Sequence, residues 1–114
     1  MPATDRAKRM STPDYVAVMA ERLAERFAPL RIILFGSRAR GEAGPDSDVD
    51  LLVVLPEVAD KRRAAVAMRE ALADLPVGKD VIVTTPEEIA RRGELVGTIL
   101  RPALREGKVI YERD

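Results

Sequence analysis

Three short apolar segments constrain the fold of this chain more than any other feature of its sequence. They are residues 30–35 (LRIILF), 49–55 (VDLLVVL) and 80–84 (DVIVT). Each is rich in aliphatic and β-branched residues and is too short for a typical helix, so we predict three strands, the first two of them buried in a core. Residues 108–111 predict a short final strand.

The segments between and around these strands have the apolar spacing of helices. Apolar residues recur every three or four positions in residues 13–27 and 58–75, which predicts two amphipathic helices. Residues 85–88 (TPEE) have the spacing of a capping box with proline at the first helical position, and residues 94–106 predict a further helix. The predicted order, α-β-β-α-β-α-α-β, favours an α/β (α+β) fold in which a mixed β-sheet is flanked by helices.

Length and composition predict a single domain. The chain has 114 residues, of which 46% are hydrophobic, enough for one core and too few for a second domain of ordinary size. We expect residues 1–12 to form a flexible N-terminal tail and residues 13–114 to form the domain. No apolar run approaches the ~20 residues that span a bilayer, and the polar N-terminal segment does not have the pattern of a secretory signal. We therefore expect a cytoplasmic protein that does not enter a membrane.

The absence of two residue types limits the chemistry that the chain can perform. It contains no cysteine and no histidine, which excludes disulfides, thiol catalysis, imidazole bases and Ser–His–Asp triads formed by this chain alone. Catalysis must use carboxylates, lysine or arginine, hydroxyls, backbone amides or a bound metal. The 19 basic residues equal the 19 acidic residues, and a chain without net positive charge is not expected to bind polynucleotides directly.

Two aspartates at the start of the second predicted strand are the first candidates for a functional site. Because successive side chains of a strand alternate between faces, Asp48 and Asp50 are expected to point the same way, with Cα atoms roughly 6–7 Å apart. Asp50 begins an otherwise apolar run, so its charge is costly to bury, and two neighbouring carboxylates repel each other. A divalent cation relieves both problems, and paired carboxylates suit Mg²⁺. Ordinary turn chemistry is the alternative interpretation for Asp48.

A third carboxylate opens the third predicted strand. If the second and third strands are neighbours, Asp80 lies beside Asp48 and Asp50, and three carboxylates can hold two cations about 4 Å apart, as in-line phosphoryl transfer requires. The alternative for Asp80 is a strand-edge charge that discourages aggregation.

The first predicted strand ends in a candidate phosphate site. Gly36 allows a phosphate to approach the backbone closely, and Ser37 lies where the strand gives way to a helical turn, so that free N–H groups and a hydroxyl face one point. Arg38 and Arg40 can reach a phosphate or the acceptor. Taken alone, these residues have the alternative interpretations of a simple turn and of solvated charges. Gly-Ser, a ten-residue spacer, Asp-x-Asp and a third strand-borne Asp together favour a functional site.

At these residues the chain resembles the nucleotidyltransferases of the DNA-polymerase-beta superfamily, whose signature is Gly-Ser, about ten residues, Asp-x-Asp and a later carboxylate on a strand. The stretch 36–54 (GSRARGEAGPDSDVDLLVV) resembles the minimal nucleotidyltransferase (MNT) subfamily. The resemblance extends from about residue 13 to the end of the chain. It implies a polymerase-beta-like nucleotidyltransferase fold and the transfer of a nucleoside monophosphate from an NTP, with release of pyrophosphate.

The resemblance also implies a role for each site residue. Asp48 and Asp50 would hold two Mg²⁺ ions, and Asp80 would bind the catalytic ion and help to deprotonate the acceptor hydroxyl. Gly36 and Ser37 would seat the β- and γ-phosphates of ATP.

Many minimal family members are antitoxins encoded beside a HEPN-domain toxin, an RNase, and are thought to add AMP to one of its tyrosines. We therefore expect a Mg²⁺-dependent protein adenylyltransferase that acts as an antitoxin on a HEPN partner. Larger superfamily members carry additional domains that grip the acceptor, whereas a chain of this size leaves its site open, which suits a protein acceptor that completes it. Two alternatives stay open: a non-catalytic antitoxin that acts by binding, and a nucleotidyltransferase that acts on a small molecule such as an antibiotic.

Overall fold

The computed structural model describes residues 12–36, 48–93 and 100–113. Within these ranges four strands form one sheet, and helices lie on both of its faces. The strands are β1 (Arg31–Phe35), β2 (Val49–Val54), β3 (Lys79–Thr84) and β4 (Lys108–Glu112). The helices are α1 (Thr12–Phe27), α2 (Lys61–Ala71), α3 (Pro86–Arg92) and α4 (Leu100–Glu106). The order of these elements is the order that the sequence predicts.

The sheet is mixed, as predicted. Its strand order is β3-β2-β1-β4. Strand β1 is antiparallel to both β2 and β4, whereas β2 and β3 are parallel. A parallel pair needs a crossover connection, and α2 supplies it. The fold is therefore an α+β fold with a mixed four-stranded sheet.

The core lies on both faces of the sheet because the buried strands carry apolar side chains on both sides. On one face α1, α2 and the residue that follows α2 contribute fully buried Met19, Leu23, Met68 and Leu72. On the opposite face α4 packs against β1 and β2 in a smaller cluster. Full burial of a side chain such as leucine or methionine contributes about 1.5–3 kcal/mol, so the helical stripes predicted from the sequence hold the sheet in place.

The predicted bounds of the second long helix are wrong, because local hydrogen bonds decide where a helix begins. The helix predicted over residues 58–75 begins only at Lys61, because the Asp60 side chain caps it by accepting a hydrogen bond from Arg63 N at 3.0 Å. It ends at Ala71, four residues before Leu75, and residues 72–75 continue as turns. Thr85 caps α3 as predicted, since its hydroxyl accepts from Glu88 N at 3.2 Å.

Two of the predicted elements lie partly outside the described residues. The tail predicted for residues 1–12 lies outside the described residues except for Thr12, where α1 already begins. Of the helix predicted over residues 94–106, the described part is α4. No helix in the described part of the chain is long and apolar enough to cross a membrane.

Candidate active site

Asp50 and Asp80 lie side by side on neighbouring strands. Strands β2 and β3 pair in parallel with Asp50 opposite Asp80, which confirms the expectation that the second and third predicted strands are neighbours. Residues paired in register share one face of a sheet, with Cα atoms about 4.8 Å apart. Both carboxylates line a cleft of about 310 Å³ on the face that α4 covers. Its lining residues are Phe35, Gly36, Asp50, Asp80, Ile82, Pro102 and Glu106.

Burial and neighbouring negative charges both act on the central carboxylate of this cleft. Asp50 is half-buried, whereas Asp48 and Asp80 are exposed. Burial raises the pKa of Asp50, and the negative charges of Asp80 and then Asp48 raise it further. The charge of Asp50 is therefore costly in the absence of a cation, as the sequence predicts for a carboxylate that opens an apolar strand.

Asp48 lies directly before β2, and its negative charge is near enough to Asp50 to raise the pKa of that residue. Strand β2 begins at Val49, so the alternation argument applies to Asp50 but does not place Asp48. Val49 N donates to Gly78 O at 2.8 Å, which brings Asp48 beside Gly78. A Cβ atom on Gly78 would lie 2.0 Å from Asp48 Oδ1. The absence of a side chain at Gly78 therefore leaves the space that the Asp48 carboxylate fills.

Gly36 is required both by its backbone conformation and by its neighbour. Its φ is +78°, in the left-handed region that favours glycine. Because Phe35 pairs with Asp50 across β1 and β2, Gly36 lies next to that carboxylate, and a Cβ atom on it would be 2.5 Å from Asp50 Oδ2. The structure thus places the glycine of the predicted phosphate site against the central aspartate. The other predicted members of that site, Ser37, Arg38 and Arg40, lie outside the described residues.

Two basic side chains flank Asp80 and have different roles. Lys79 Nζ donates to Leu75 O at 3.0 Å and to Val77 O at 2.8 Å. These bonds tie the start of β3 to the loop before it, which explains a lysine directly before Asp80. Arg69 of α2 forms an ion pair with Asp80, with Nη1 at 3.5 Å from Oδ1.

Sequence reasoning missed Gly78, Arg69 and Glu106. Gly78 lies against Asp48, and a glycine two residues before the predicted strand 80–84 is the signal that could have suggested a close approach. No local signal identifies Arg69 or Glu106, because each is brought to the cleft by the packing of a helix against the sheet.

The acidic residues of the cleft are suited to act together as ligands of Mg²⁺. Within residues 12–36, 48–93 and 100–113, no group of three or more acidic side chains lies close enough to form a ready-made metal cage. Mg²⁺ does not need one, since it is usually bound by one or two carboxylates and completes its shell with water and substrate phosphates. Burial, and then the charges of Asp80 and Asp48, raise the pKa of Asp50, and a bound cation would offset both effects. Asp50 and Asp80 therefore fit a cation site that a nucleotide completes, and the expectation of two ions stays a prediction.

A family model matches the part of the chain that contains the candidate site. The model for the family described as "Nucleotidyltransferase domain" matches residues 16–105. This range covers most of the chain and contains every predicted site residue. No curated protein matches the sequence significantly.

Three solved structures have a similar fold. A "putative nucleotidyltransferase" from Sulfolobus solfataricus gives a TM-score of 0.62 at 23% identity, with 97% of this chain and 87% of that chain covered. A chain from a toxin–antitoxin structure with AMP-PNP gives a TM-score of 0.52 at 22% identity, with 85% and 73% covered. A "putative minimal nucleotidyltransferase" gives a TM-score of 0.52 at 30% identity, with 88% and 96% covered.

Proposed function

The chain belongs to the nucleotidyltransferase domain family, and on this basis we propose that it transfers a nucleoside monophosphate from an NTP to a hydroxyl group in a Mg²⁺-dependent reaction. The proposal is supported above all by the register pairing of Asp50 with Asp80 beside Gly36. This arrangement places two carboxylates at the wall of an open cleft, next to a glycine whose backbone a phosphate can approach.

In the proposed reaction the acceptor oxygen forms a bond to the α-phosphorus of the nucleotide. The bond from the α-phosphorus to its bridging oxygen breaks, and pyrophosphate leaves with the electron pair. Asp80, which is exposed and lines the cleft, would bind the catalytic cation and help to remove the proton of the acceptor hydroxyl. Asp48 and Asp50 would hold the cations, which would supply positive charge against the charge that develops on the phosphate oxygens.

We propose ATP as the nucleotide and the segment after β1 as its phosphate site. Gly36 lies at the carboxyl end of β1, beside the cleft, so Ser37, Arg38 and Arg40 follow directly in the chain. Backbone N–H groups, a hydroxyl and guanidinium groups are the donors that phosphate oxygens accept from. Similarity to a fold found in a toxin–antitoxin structure with AMP-PNP supports an adenine nucleotide.

We further propose that the acceptor is a tyrosine of a HEPN-domain toxin and that the chain is its antitoxin. The cleft is open to solvent and small, so a second protein that brings its own hydroxyl can complete it. The zero net charge favours a protein acceptor over a polynucleotide. The toxin–antitoxin assembly of a protein with this fold supports the same partner class.

The test is transfer of label from α-labelled ATP to the protein encoded beside this chain, in the presence of Mg²⁺. We expect AMP on a tyrosine of the partner, located by mass spectrometry. Asp50→Asn and Asp80→Asn should each lower the transfer rate at least 100-fold, because a charge-stabilising group in the transition state is worth about 3 kcal/mol or more. The matched control is Asp60→Asn, which keeps the helix cap and lies away from the cleft.

Two outcomes would identify the other candidate functions. If the Asp50→Asn variant transfers nothing and still protects cells from the toxin, the chain neutralises its partner by binding. If label reaches a small hydroxylated molecule without any protein partner, the chain is a small-molecule nucleotidyltransferase. Transfer at the wild-type rate by the double variant of Asp50 and Asp80 would contradict the proposed mechanism.

A further inference from the structure

Arg69 reaches Asp80 from the opposite side of the sheet. It belongs to α2, whose Ala65 and Met68 pack against the face that does not carry the cleft. Strand β3 is the edge strand of the sheet, so a long side chain can pass around it. The guanidinium Nη1 ends 3.5 Å from Asp80 Oδ1.

This contact gives Asp80 a cationic partner at the cleft. Among the ion pairs formed by described residues, it is the one that involves Asp48, Asp50 or Asp80. A fixed guanidinium beside Asp80 reduces the repulsion between Asp80 and Asp50 when no metal is bound. The same charge opposes a divalent cation that approaches Asp80, because the cation must either displace Arg69 or bind beside it.

We propose that Arg69 is a positioning residue that holds Asp80 in the metal-free protein and weakens the binding of divalent cations to it. The inference rests on the proposed function, in which Asp80 is a metal ligand. Its consequence is that the cation at Asp80 binds more tightly once nucleotide phosphates supply further negative charge. The side chains of Arg69 and Asp80 are 44% and 52% exposed, so the effect is modest, about two- to fivefold in affinity.

The test measures Mn²⁺ binding by the full-length protein without nucleotide, using electron paramagnetic resonance to count free ions. We expect Arg69→Gln to bind Mn²⁺ about two- to fivefold more tightly than the wild type, and Arg69→Lys to restore much of the difference. Arg63→Gln is the matched control, because Arg63 is an exposed arginine on the same helix. In an Asp80→Asn background the Arg69→Gln substitution should lose most of its effect.

The outcomes separate this inference from the proposed function. If Asp50→Asn and Asp80→Asn weaken Mn²⁺ binding and Arg69→Gln leaves it unchanged or weaker, the role of Arg69 is wrong and the metal site stands. If the wild type binds no Mn²⁺ with or without ATP, both are overturned. A second readout is the Mg²⁺ concentration that gives half-maximal transfer, which should fall in Arg69→Gln. Far-UV circular dichroism checks that each variant is folded.

Discussion

Replacement of Asp50 by asparagine should make the metal-free protein more stable at pH 7. Burial raises the pKa of Asp50, as do the charges of Asp80 and Asp48. A folded-state pKa above the unfolded value means that the fold favours the protonated carboxyl group, so ionisation at higher pH opposes folding. Asparagine keeps the size and shape of the side chain and removes this charge.

The expected gain follows from the register of β2 and β3. Asp50 and Asp80 are paired residues, so their carboxylates are separated by roughly 5 Å, which is close to the interstrand spacing. Two unit charges at that distance repel each other by about 0.8 kcal/mol in water and about 3 kcal/mol at an effective dielectric constant of 20. Asp80 is exposed and paired with Arg69, so the lower end applies and we expect a gain of about 1 kcal/mol.

Urea denaturation in EDTA at pH 7 measures this gain. The set comprises the wild type, Asp50→Asn, Asp80→Asn and the double variant, with Asp60→Asn as the matched control. Asp80→Asn should gain less, because it also loses its contact with Arg69, and the double-mutant cycle should show repulsive coupling between Asp50 and Asp80. As the pH falls through the pKa of Asp50, the wild type becomes protonated and the difference from Asp50→Asn should shrink.

Addition of Mg²⁺ with a non-hydrolysable ATP analogue should reverse the order, because only the wild type gains stability from the bound ligand. The electrostatic reasoning is refuted if Asp50→Asn is less stable than the wild type in EDTA, or if the cycle shows no coupling. Failure of the ligand to stabilise the wild type would instead refute the cation site.

Three further substitutions test other parts of the structure. Gly36→Ala should slow nucleotidyl transfer at least tenfold, because the added Cβ displaces the Asp50 carboxylate; a normal rate in a labelled-ATP assay would contradict this. Lys79→Met should lower the free energy of unfolding by about 1–2 kcal/mol in urea, because two backbone carbonyls lose charge-assisted hydrogen bonds. Although burial raises the pKa of Glu88, hydrogen bonds from Lys61 and Thr84 outweigh it and lower that pKa. Glu88→Gln should therefore cost about 1.5 kcal/mol at pH 7, and the difference should close as the pH falls below about 4.3; a pH-independent difference would refute the assignment.

Much of the fold was predictable because its elements are encoded locally. The strands β1, β2 and β3 lie within one residue of the apolar segments that predict them, since a short run of β-branched residues has few other stable conformations. The end of the second long helix was not predictable from periodicity. Its apolar stripe continues to Leu75, whereas the backbone leaves the helix after Ala71.

The candidate site, like the fold, was predictable from the sequence only in part. The composition and spacing of Gly36, Asp48, Asp50 and Asp80 predict a cation site, because the charge of a carboxylate in an apolar strand is costly when nothing offsets it. The close approach of Asp48 to Gly78, which has no side chain to obstruct the carboxylate, follows from the pairing of β2 with β3 and was not predictable from a local pattern.

The sequence by itself determined which segments are strands and helices, which side chains are apolar, and which acidic residues are available for chemistry, because these properties depend on neighbours a few positions apart. Only the tertiary structure decided that Asp50 lies opposite Asp80 and that Arg69 reaches around the edge strand to contact it. Strand register and helix placement depend on the packing of α2 and of the core across residues far apart in the chain, and local sequence patterns do not encode such distances.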